Sequence, residues 1–394
     1  MIIDQHRLKR QDLGLTRWKN AGFSGILQFA TGVGKTFVAL RAIHALHKRG
    51  KIETVTIVVP TIDLKDQWLE EIANFHIKAK CQVFVINTAA KYYDVLNCDL
   101  LIIDEYHTAA ATTFRKVLKI KRKMTLALTA TVERADNLHK ILIKSCPVVD
   151  KISLEEALEN EWISPYVIFN LGVDLPPDQL EEYKAVDIRF KGSVARQFRG
   201  IADAKLALNN HDGRGGLAKL YFSLIRKRKT LCKENPNKLK VLAELLPHFN
   251  KCGFIFAPSK QICNDLERIS KGVILSYHSG NSVKKNRALL KNFKDGRTKS
   301  RFLATVEKIN AGLNHPKSSL GIIIAGDSSK LKNIQRIGRL IRKIPGKKAV
   351  IINLYSKHTQ EVYWLEKRLG DQYEKSLFVS SAKELITKLN ELNE

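Results

Sequence analysis

The bend FATGVGKTF follows a short apolar run and opens a helical pattern. Gly32 and Gly34 have no Cβ, so backbone N–H groups at this bend can converge on one anion. The partial positive charge of the following helix N-terminus attracts the same anion. Lys35 has the reach to bind the β and γ phosphates of a nucleoside triphosphate, and the Thr36 hydroxyl can ligate Mg²⁺. The bend therefore predicts a phosphate-binding loop, although Phe29 stands where the G-x-x-x-x-G-K-T pattern has its first glycine.

Two adjacent acids later in the chain indicate the same chemistry. The run LLIIDEYH is apolar up to Asp104 and Glu105, which places both carboxylates at the end of a predicted buried strand. Asp104 can hold Mg²⁺ through its water shell, and Glu105 can orient and deprotonate an attacking water. Taken singly, the bend fits an ordinary glycine-rich loop and the acids fit a solvated strand end. Together they favour hydrolysis of a nucleoside triphosphate.

The charge balance indicates an acidic partner. Lysine and arginine total 67 against 39 aspartate and glutamate residues, which gives a formal net charge of +28. A surplus of this size causes self-repulsion, and nucleic acid is a polyanion that relieves it. Ribosomal proximity, membrane lipid and simple solubility are the alternative explanations from composition alone.

Composition also narrows the class of protein. The chain has 394 residues and is 44% apolar, which predicts a globular protein with two or three domains. No apolar run approaches the ~20 residues that span a bilayer, so no membrane partner is expected. The start MIIDQHRLKRQ lacks the apolar core of a signal peptide, which predicts a cytoplasmic protein. The six cysteines form no C-x-x-C pair, so we expect reduced thiols and no metal beyond Mg²⁺.

Short apolar runs rich in β-branched residues alternate with helical patterns in two parts of the chain. Such runs predict α/β lobes with parallel sheets that helices cover on both faces. The predicted strands are residues 25–30, 54–60, 81–88, 98–107 and 123–131 in the first part, and 252–259, 272–280, 301–307, 319–327 and 347–355 in the second. Between the two parts, basic residues with interleaved aromatics predict a mainly helical connector. We assign residues 1–170 to lobe 1, 171–236 to the connector and 237–394 to lobe 2.

Seven segments resemble, in order, the motifs of superfamily 2 helicases and translocases, from about Leu8 to about Tyr355. The segments are ATGVGKT, VVPTIDLKDQW, DEYH, LTAT, FIFAPS, FLATVEKINAGLNHP and QRIGRLIR. The resemblance implies two RecA-like lobes that close on ATP and Mg²⁺. Lobe 1 is implied to supply the phosphate loop and the acids, and lobe 2 the arginine fingers.

The resemblance assigns further residues to the nucleotide site. Gln11 corresponds to a glutamine that contacts adenine, although Arg10 stands where the family has an aromatic residue. Arg339 and Arg342 lie three apart on one predicted helical face and correspond to arginine fingers, which contribute about 10³–10⁵ in rate. The implied catalytic residues are Glu105, Lys35, Arg339 and Arg342. The implied ATP contacts are Gln11, Thr31, Gly32, Val33, Gly34, Lys35, Thr36, Arg339 and Arg342, and the implied Mg²⁺ ligands are Thr36 and Asp104.

Other positions are implied to couple hydrolysis to movement or to hold nucleic acid. The implied coupling residues are His107, Gln335, Thr129 and Thr131, with Gln335 expected to hydrogen-bond to His107. The implied contacts to the DNA backbone are Thr61, Thr88, Ser259 and Thr305. Each of these hydroxyls is explained about as well as a helix cap. Asn314 stands where the family often has aspartate, and only a tuning effect is expected from that difference.

The segments DEYH, SLEEALENEWISPY and KENPNKLKVLAELL most resemble the branch of XPB, UvsW-type phage proteins and restriction subunits. The resemblance implies an ATP-dependent DNA helicase that unwinds forks and migrates Holliday-type junctions in recombination, replication or repair. It also suggests a bacteriophage or mobile-element protein in the cytoplasm of the bacterial host. The alternatives are an RNA helicase, including one that releases transcripts, and a restriction-system translocase that separates no strands.

The chain begins almost directly at the glutamine motif, so the connector is expected to make DNA contacts that a separate N-terminal domain would otherwise supply. Its aromatics stand amid lysine and arginine, which fits a surface that stacks on bases and grips phosphates. A small hydrophobic core surrounded by solvated charges explains the same aromatics equally well. These aromatics are Phe190, Phe198, Tyr221 and Phe222.

Overall fold

The computed structural model describes residues 4–133, 137–209, 213–295, 300–306 and 318–392. The chain divides into two compact units. The first unit contains the described residues up to Tyr166, residues 318–319 and the segment Leu331–Ala349. The second unit contains the connector and most of the later part of the chain.

The first unit is built on a six-stranded sheet whose strand order is β3-β2-β4-β5-β1-β6. The strands pair in parallel, and most residues of β2 and β4 are buried apolar side chains. The strands are β1 Ser24–Phe29, β2 Thr54–Val59, β3 Lys80–Val85, β4 Asn97–Ile103, β5 Lys121–Thr129 and β6 Val148–Ile152. The helices are α1 Gln5–Asn20, α2 Lys35–Lys48, α3 Ile62–Asn74, α4 Ile86–Lys91, α5 His139–Ser145 and α6 Leu154–Glu159.

The connector is helical, as the sequence predicts. It follows strand β7 Tyr166–Val173 and contains α7 Pro177–Arg189, α8 Ile201–Asn209 and α9 Gly215–Lys233. These helices surround a core of their own that includes Val194, Ala204, Ala218 and Leu224.

A seven-stranded sheet forms the rest of the second unit, in the order β13-β7-β12-β11-β8-β10-β9. Its further strands are β8 Gly253–Ala257, β9 Ile274–Tyr277, β10 Phe302–Val306, β11 Leu320–Ile323, β12 Ala349–Ser356 and β13 Leu377–Val379. The remaining α-helices among the described residues are α10 Pro236–Leu245, α11 Lys260–Ile269, α12 Val283–Asp295, α13 Lys330–Leu340, α14 Gln360–Leu369 and α15 Ala382–Glu391. Except for its first residue, α13 groups with the first unit, although it lies between β11 and β12 in the chain.

All ten predicted strands are present, and the sequence interpretation missed β6, β7 and β13. The strand β7 pairs with β13 in the second sheet, and its first five residues fall within the range expected for lobe 1. Two parallel α/β sheets joined by helices confirm the predicted fold class. Within the described ranges, no helix combines the length and apolar character that a membrane span requires.

Candidate active site

The phosphate loop joins the end of β1 to the start of α2, and its backbone conformation explains its glycines. Gly34 has φ 94° and ψ 45°, a left-handed conformation that residues with a Cβ rarely adopt. A Cβ on Gly34 would also lie 2.8 Å from Nη2 of Arg7. Lys35 begins α2, and its Nζ donates to the carbonyl oxygen of Phe29 at 3.2 Å. The side chain of Lys35 therefore folds back across the loop, toward the end of β1. A phosphate bound at the N-terminus of α2 would lie beside it.

Two side chains of α1 bind the loop carbonyls. Gln11 is 1% exposed, and its Nε2 donates to the carbonyl of Val33 at 2.8 Å. Nε of Arg7 donates to the same carbonyl at 3.0 Å. The sequence interpretation missed Arg7, although it lies one helical turn before Gln11 and therefore on the same face of α1.

The arginine that replaces the expected aromatic residue anchors α1 to the sheet. Arg10 binds Asp150 of β6 at 2.6 Å and Glu156 of α6 at 2.6 Å, and Arg17 also pairs with Asp150. Burial alone would lower the pKa of Arg10, but its hydrogen bonds to the two carboxylates raise it. The network fixes the helix that presents Gln11 to the loop.

The acid pair lies at the carboxyl end of β4, separated from β1 by β5. Asp104 is 5% exposed, and its Oδ2 accepts from Nε1 of Trp68 at 3.0 Å. Burial and the nearby charge of Glu105 raise the pKa of Asp104 to about 6, whereas Trp68 and Lys35 oppose that shift. The influence of Lys35 shows that the phosphate loop and the acid pair share one electrostatic site.

Glu105 begins a chain of polar contacts that leads from the acids to the end of β5. Its backbone has φ 48°, an uncommon conformation for a residue with a side chain and one that often marks functional sites. Its Oε2 lies 3.3 Å from Nδ1 of His107, which is also 3.3 Å from Oγ1 of Thr129. Thr129 in turn donates to the carbonyl of Thr131 at 2.7 Å. Three of the four predicted coupling residues are therefore connected to the predicted base.

The helix α13 brings Arg339 to this site. A Cβ on Gly338 would overlap the side chain of Thr31 in the phosphate loop, so α13 lies directly against that loop. Burial, together with the charge of Arg342, lowers the pKa of Arg339 to about 10, and Glu105 opposes the shift. Arg339 is thus in electrostatic range of Glu105 and is still charged at neutral pH.

Arg342 does not lie on a helical face with Arg339, and that prediction is wrong. The helix α13 ends at Leu340, and Arg342 forms an isolated antiparallel bridge with Ile163. Ser164 fixes this segment, since its Oγ donates to the carbonyl of Arg342 at 2.9 Å. Burial lowers the pKa of Arg342. Its proximity to Arg339 therefore comes from the extended backbone after the helix.

Gln335 is half-buried on α13 in the same unit. Its hydrogen bond with His107 stays a prediction. Thr36 and Val33 lie on and beside the first turn of α2, where the loop places them next to Lys35.

The four hydroxyls predicted to contact DNA have different structural roles. Thr61 and Ser259 cap α3 and α11, accepting from Leu64 N and Ile262 N. Thr88 is exposed on α4. Thr305 lies inside β10 and is 1% exposed, so its hydroxyl is not available to a nucleic acid in this conformation. Asn314 lies outside the described residues.

The aromatics of the connector pack against one another. The ring of Tyr221 lies 5.3 Å from Phe190, 5.2 Å from Phe198 and 5.3 Å from Phe222. Tyr221 and Phe198 are buried, and the other two are partly buried against them. Of the two explanations that the sequence leaves open, the structure supports the small core.

Two buried polar atoms support the fit of the site to a nucleoside triphosphate. Oε1 of Gln11 and Oγ1 of Thr31 have no hydrogen-bond partner within the described part of the chain. A buried polar atom without a partner costs about 1–3 kcal/mol, which a ligand can recover by supplying one. Gln11 offers an acceptor suited to an exocyclic amine, and Thr31 offers a hydroxyl beside the phosphate loop. Thr36 and Asp104 are the oxygen ligands that Mg²⁺ prefers.

The phosphate loop, the acid pair and the arginine-bearing helix lie in segments that match two known protein families. The family of the type III restriction enzyme res subunit matches residues 5–94 and 81–134. The helicase conserved C-terminal domain matches residues 237–343. Together the two matches support a superfamily 2 helicase or translocase.

Among individual proteins, the DNA 3′-5′ translocase XPB2 of Sulfurisphaera tokodaii is 28% identical over 369 residues. The match covers 87% of this chain and 80% of that protein. Dbp5 of S. cerevisiae, bound to RNA and ADP BeF3, is similar with a TM-score of 0.63 and 15% identity, over 98% of this chain and 93% of that chain. The Hef helicase domain of Pyrococcus furiosus gives a TM-score of 0.56 and 16% identity, over 93% of this chain and 100% of that chain. These structures confirm the RecA-like fold.

Proposed function

We propose that this protein is an ATP-dependent DNA motor that moves along DNA and separates strands at forks and branched junctions. One observation carries the proposal: α13 packs on the phosphate loop at Thr31 and places Arg339 in electrostatic range of Glu105. A guanidinium beside the phosphate loop and the acid pair is placed to stabilise the negative charge of a bound phosphate. The γ-phosphate of ATP supplies such a charge.

Each residue of the site then has a separate role in the hydrolysis of ATP. ATP with Mg²⁺ supplies the phosphoanhydride bond whose cleavage releases the energy for movement. Lys35 and the loop N–H groups hold the phosphates, and Thr36 and Asp104 hold the metal. Glu105 orients the attacking water and accepts its proton, while Arg339 stabilises the charge on the equatorial oxygens. Arg342 is placed to assist Arg339.

Movement is coupled to hydrolysis through the contacts that begin at Glu105. A change in the hydrogen bonding of its carboxylate alters the position of His107, which contacts Thr129 at the end of β5. The segment after β5 carries Thr131, whose carbonyl accepts from Thr129.

DNA is the favoured substrate for two reasons. The net charge of +28 suits a polyanion, and the relative from Sulfurisphaera tokodaii is by name a DNA translocase. We infer that branch migration in recombination, replication or repair is the cellular task, and that the protein belongs with the UvsW-like phage proteins and works in the cytoplasm. The polarity is expected to be 3′-5′, as in the name of the relative.

The experiment measures ATP hydrolysis and strand separation on forks, four-way junctions, plain duplex and RNA at a fixed salt concentration. We expect stimulation by forked and branched DNA and little by RNA. Replacement Lys35→Ala should abolish stimulated hydrolysis, whereas Lys48→Ala at the far end of α2 should not. Intact DNA-stimulated hydrolysis in the Lys35→Ala protein would show that the catalytic assignment is wrong.

A restriction-type translocase is the second candidate, because residues 5–94 and 81–134 match the res subunit family. Such a motor moves along duplex DNA without separating it. Displacement of a third strand from a triplex, with no unwinding of any fork, would favour this candidate over a helicase.

A further inference from the structure

Helix α9 carries an unusual charge distribution. It contains no acidic residue, and its six basic residues are Lys219, Arg226, Lys227, Arg228, Lys229 and Lys233. So many like charges on one helix repel one another unless acids on neighbouring elements or a bound polyanion compensate them.

One side of α9 is compensated by α7. Lys227 binds Glu182 at 2.5 Å, and Arg228 binds Asp187 at 2.5 Å. Arg228 also lies over the ring of Phe190, 4.6 Å from its centroid. These contacts give this side of α9 a structural role in the connector.

Another side of α9 is not compensated. Lys219, Arg226 and Lys229 are spaced by seven and three residues, which aligns them in one stripe about 15 Å long. None of the three pairs with an acid within the described part of the chain. Asp203, the acidic residue of α8, instead pairs with Arg214, with 3.4 Å between Oδ1 and Nη2.

The same stripe borders a shallow groove with an apolar floor. The groove is lined by Leu208 of α8 together with Phe222, Ser223 and Ile225 of α9 and the three cations. Leu208 is 41% exposed, so apolar surface is open to solvent between the charges. A stripe of cations along an apolar floor matches a nucleic-acid strand, which has phosphates on one side and sugars and bases on the other.

We propose that this groove, between α8 and α9, holds the phosphodiester backbone of the DNA on which the motor acts. The proposal rests on the proposed function for the choice of DNA. Lys219, Arg226 and Lys229 contact successive phosphates, and the apolar floor receives sugars or unpaired bases. The neutralised side of the same helix, with Lys227, makes no DNA contact.

The test compares a variant carrying Lys219→Gln, Arg226→Gln and Lys229→Gln with the wild type and with Lys227→Gln. Fluorescence anisotropy measures the Kd for labelled duplex and single-stranded DNA over a series of salt concentrations. Loss of three phosphate contacts should reduce the slope of log K against log salt by about 2.7 for duplex, or by about 2.1 for a single strand. The Lys227→Gln protein should keep the wild-type slope.

Two controls separate this inference from the proposed function. The triple variant should keep its melting temperature and its ATP hydrolysis without DNA, because the three side chains lie outside the nucleotide site. If the triple variant keeps the wild-type slope of log K against log salt for both forms of DNA, the groove does not bind DNA. An acidic protein segment is then the occupant to test. Failure of any DNA to stimulate wild-type hydrolysis overturns the motor function, whereas the slopes still report on the groove.

Discussion

Gly338 on the arginine-bearing helix and Thr31 in the phosphate loop are in direct contact, although 306 positions separate them in the sequence. Only a glycine allows this approach, because a Cβ at position 338 would overlap Oγ1 and Cβ of Thr31. The contact sets the distance from Arg339 to the loop and so determines whether its guanidinium reaches a bound phosphate.

Gly338→Ala should therefore impair catalysis. The added methyl group displaces α13 from the loop, and a displacement near 1 Å can cost about 10²-fold in rate. We expect kcat for ATP hydrolysis to fall by at least about tenfold. Gly216→Ala is the control, because a Cβ there meets nothing within 4 Å. Unchanged hydrolysis in the Gly338→Ala protein would mean that α13 does not contact the loop in solution.

Glu105→Gln should separate nucleotide binding from hydrolysis. The amide keeps the size of the side chain but cannot accept a proton, so kcat should fall by about 10²–10⁴ with little change in Kd for ATP. Stopped-flow binding of a fluorescent ATP analogue checks the second point. Glu161→Gln, at an 81% exposed carboxylate paired with Lys343, should leave both quantities unchanged. A large loss of affinity in Glu105→Gln would indicate a structural role instead.

Arg339→Lys should lower kcat by about 10² or more although it keeps the positive charge. Lysine lacks the planar fork that binds two phosphate oxygens at once, and it reaches less far. Steady-state hydrolysis at saturating ATP measures the loss. Lys343→Ala, at the surface pair with Glu161, is the matched control. Equal activity of the lysine variant and the wild type would exclude Arg339 as a finger.

Asp104 should make folding stability depend on pH. Its pKa is raised from 3.8 to about 6 in the folded protein, so the folded state binds more protons than the unfolded state between these values. The stability that this group contributes is therefore present at low pH and is lost as pH rises, by an amount on the order of 3 kcal/mol.

Urea unfolding without Mg²⁺ or nucleotide tests this dependence from about pH 4 to about pH 7. Tryptophan fluorescence is a suitable signal, since Trp18, Trp68 and Trp162 are buried in the first unit. The unfolding midpoint of the wild type should fall with rising pH relative to that of Asp104→Asn. Parallel curves for the two proteins would contradict the assignment of the shift to Asp104.

Lys238 and Glu361 should be strongly coupled in the second unit. Both side chains are fully buried and lie 2.6 Å apart, and Glu361 also accepts from the N–H of Ser356 at 2.9 Å. Lys238→Met leaves the buried carboxylate of Glu361 without its opposite charge and should destabilise the protein by about 3–5 kcal/mol. Adding Glu361→Gln should recover part of that loss in a double-mutant cycle. Additive losses would show that the two charges do not stabilise each other.

Much of the fold was predictable because local patterns specify it. Continuous apolar runs such as TVTIVV predict buried parallel strands, and glycine before Lys35 predicts a turn into a helix. The strand β7 was missed although it is apolar, because Asn170 at its centre breaks the pattern. Asn170 is satisfied by Ser376 and Asn353, which are 206 and 183 positions away, and no local rule anticipates such partners.

The features of the candidate site also fall into two groups: those that local sequence patterns specify and those that depend on distant contacts. Local motifs were enough to predict the phosphate loop, the acid pair and the arginine helix, since the chemistry of each follows from adjacent residue types. Long-range packing, by contrast, takes Arg342 out of the helix to pair with Ile163 and gathers the connector aromatics into a core. It also decided that Gly338 meets Thr31. These outcomes depend on contacts between distant segments, where packing and hydrogen-bond partners override what neighbouring residues prefer.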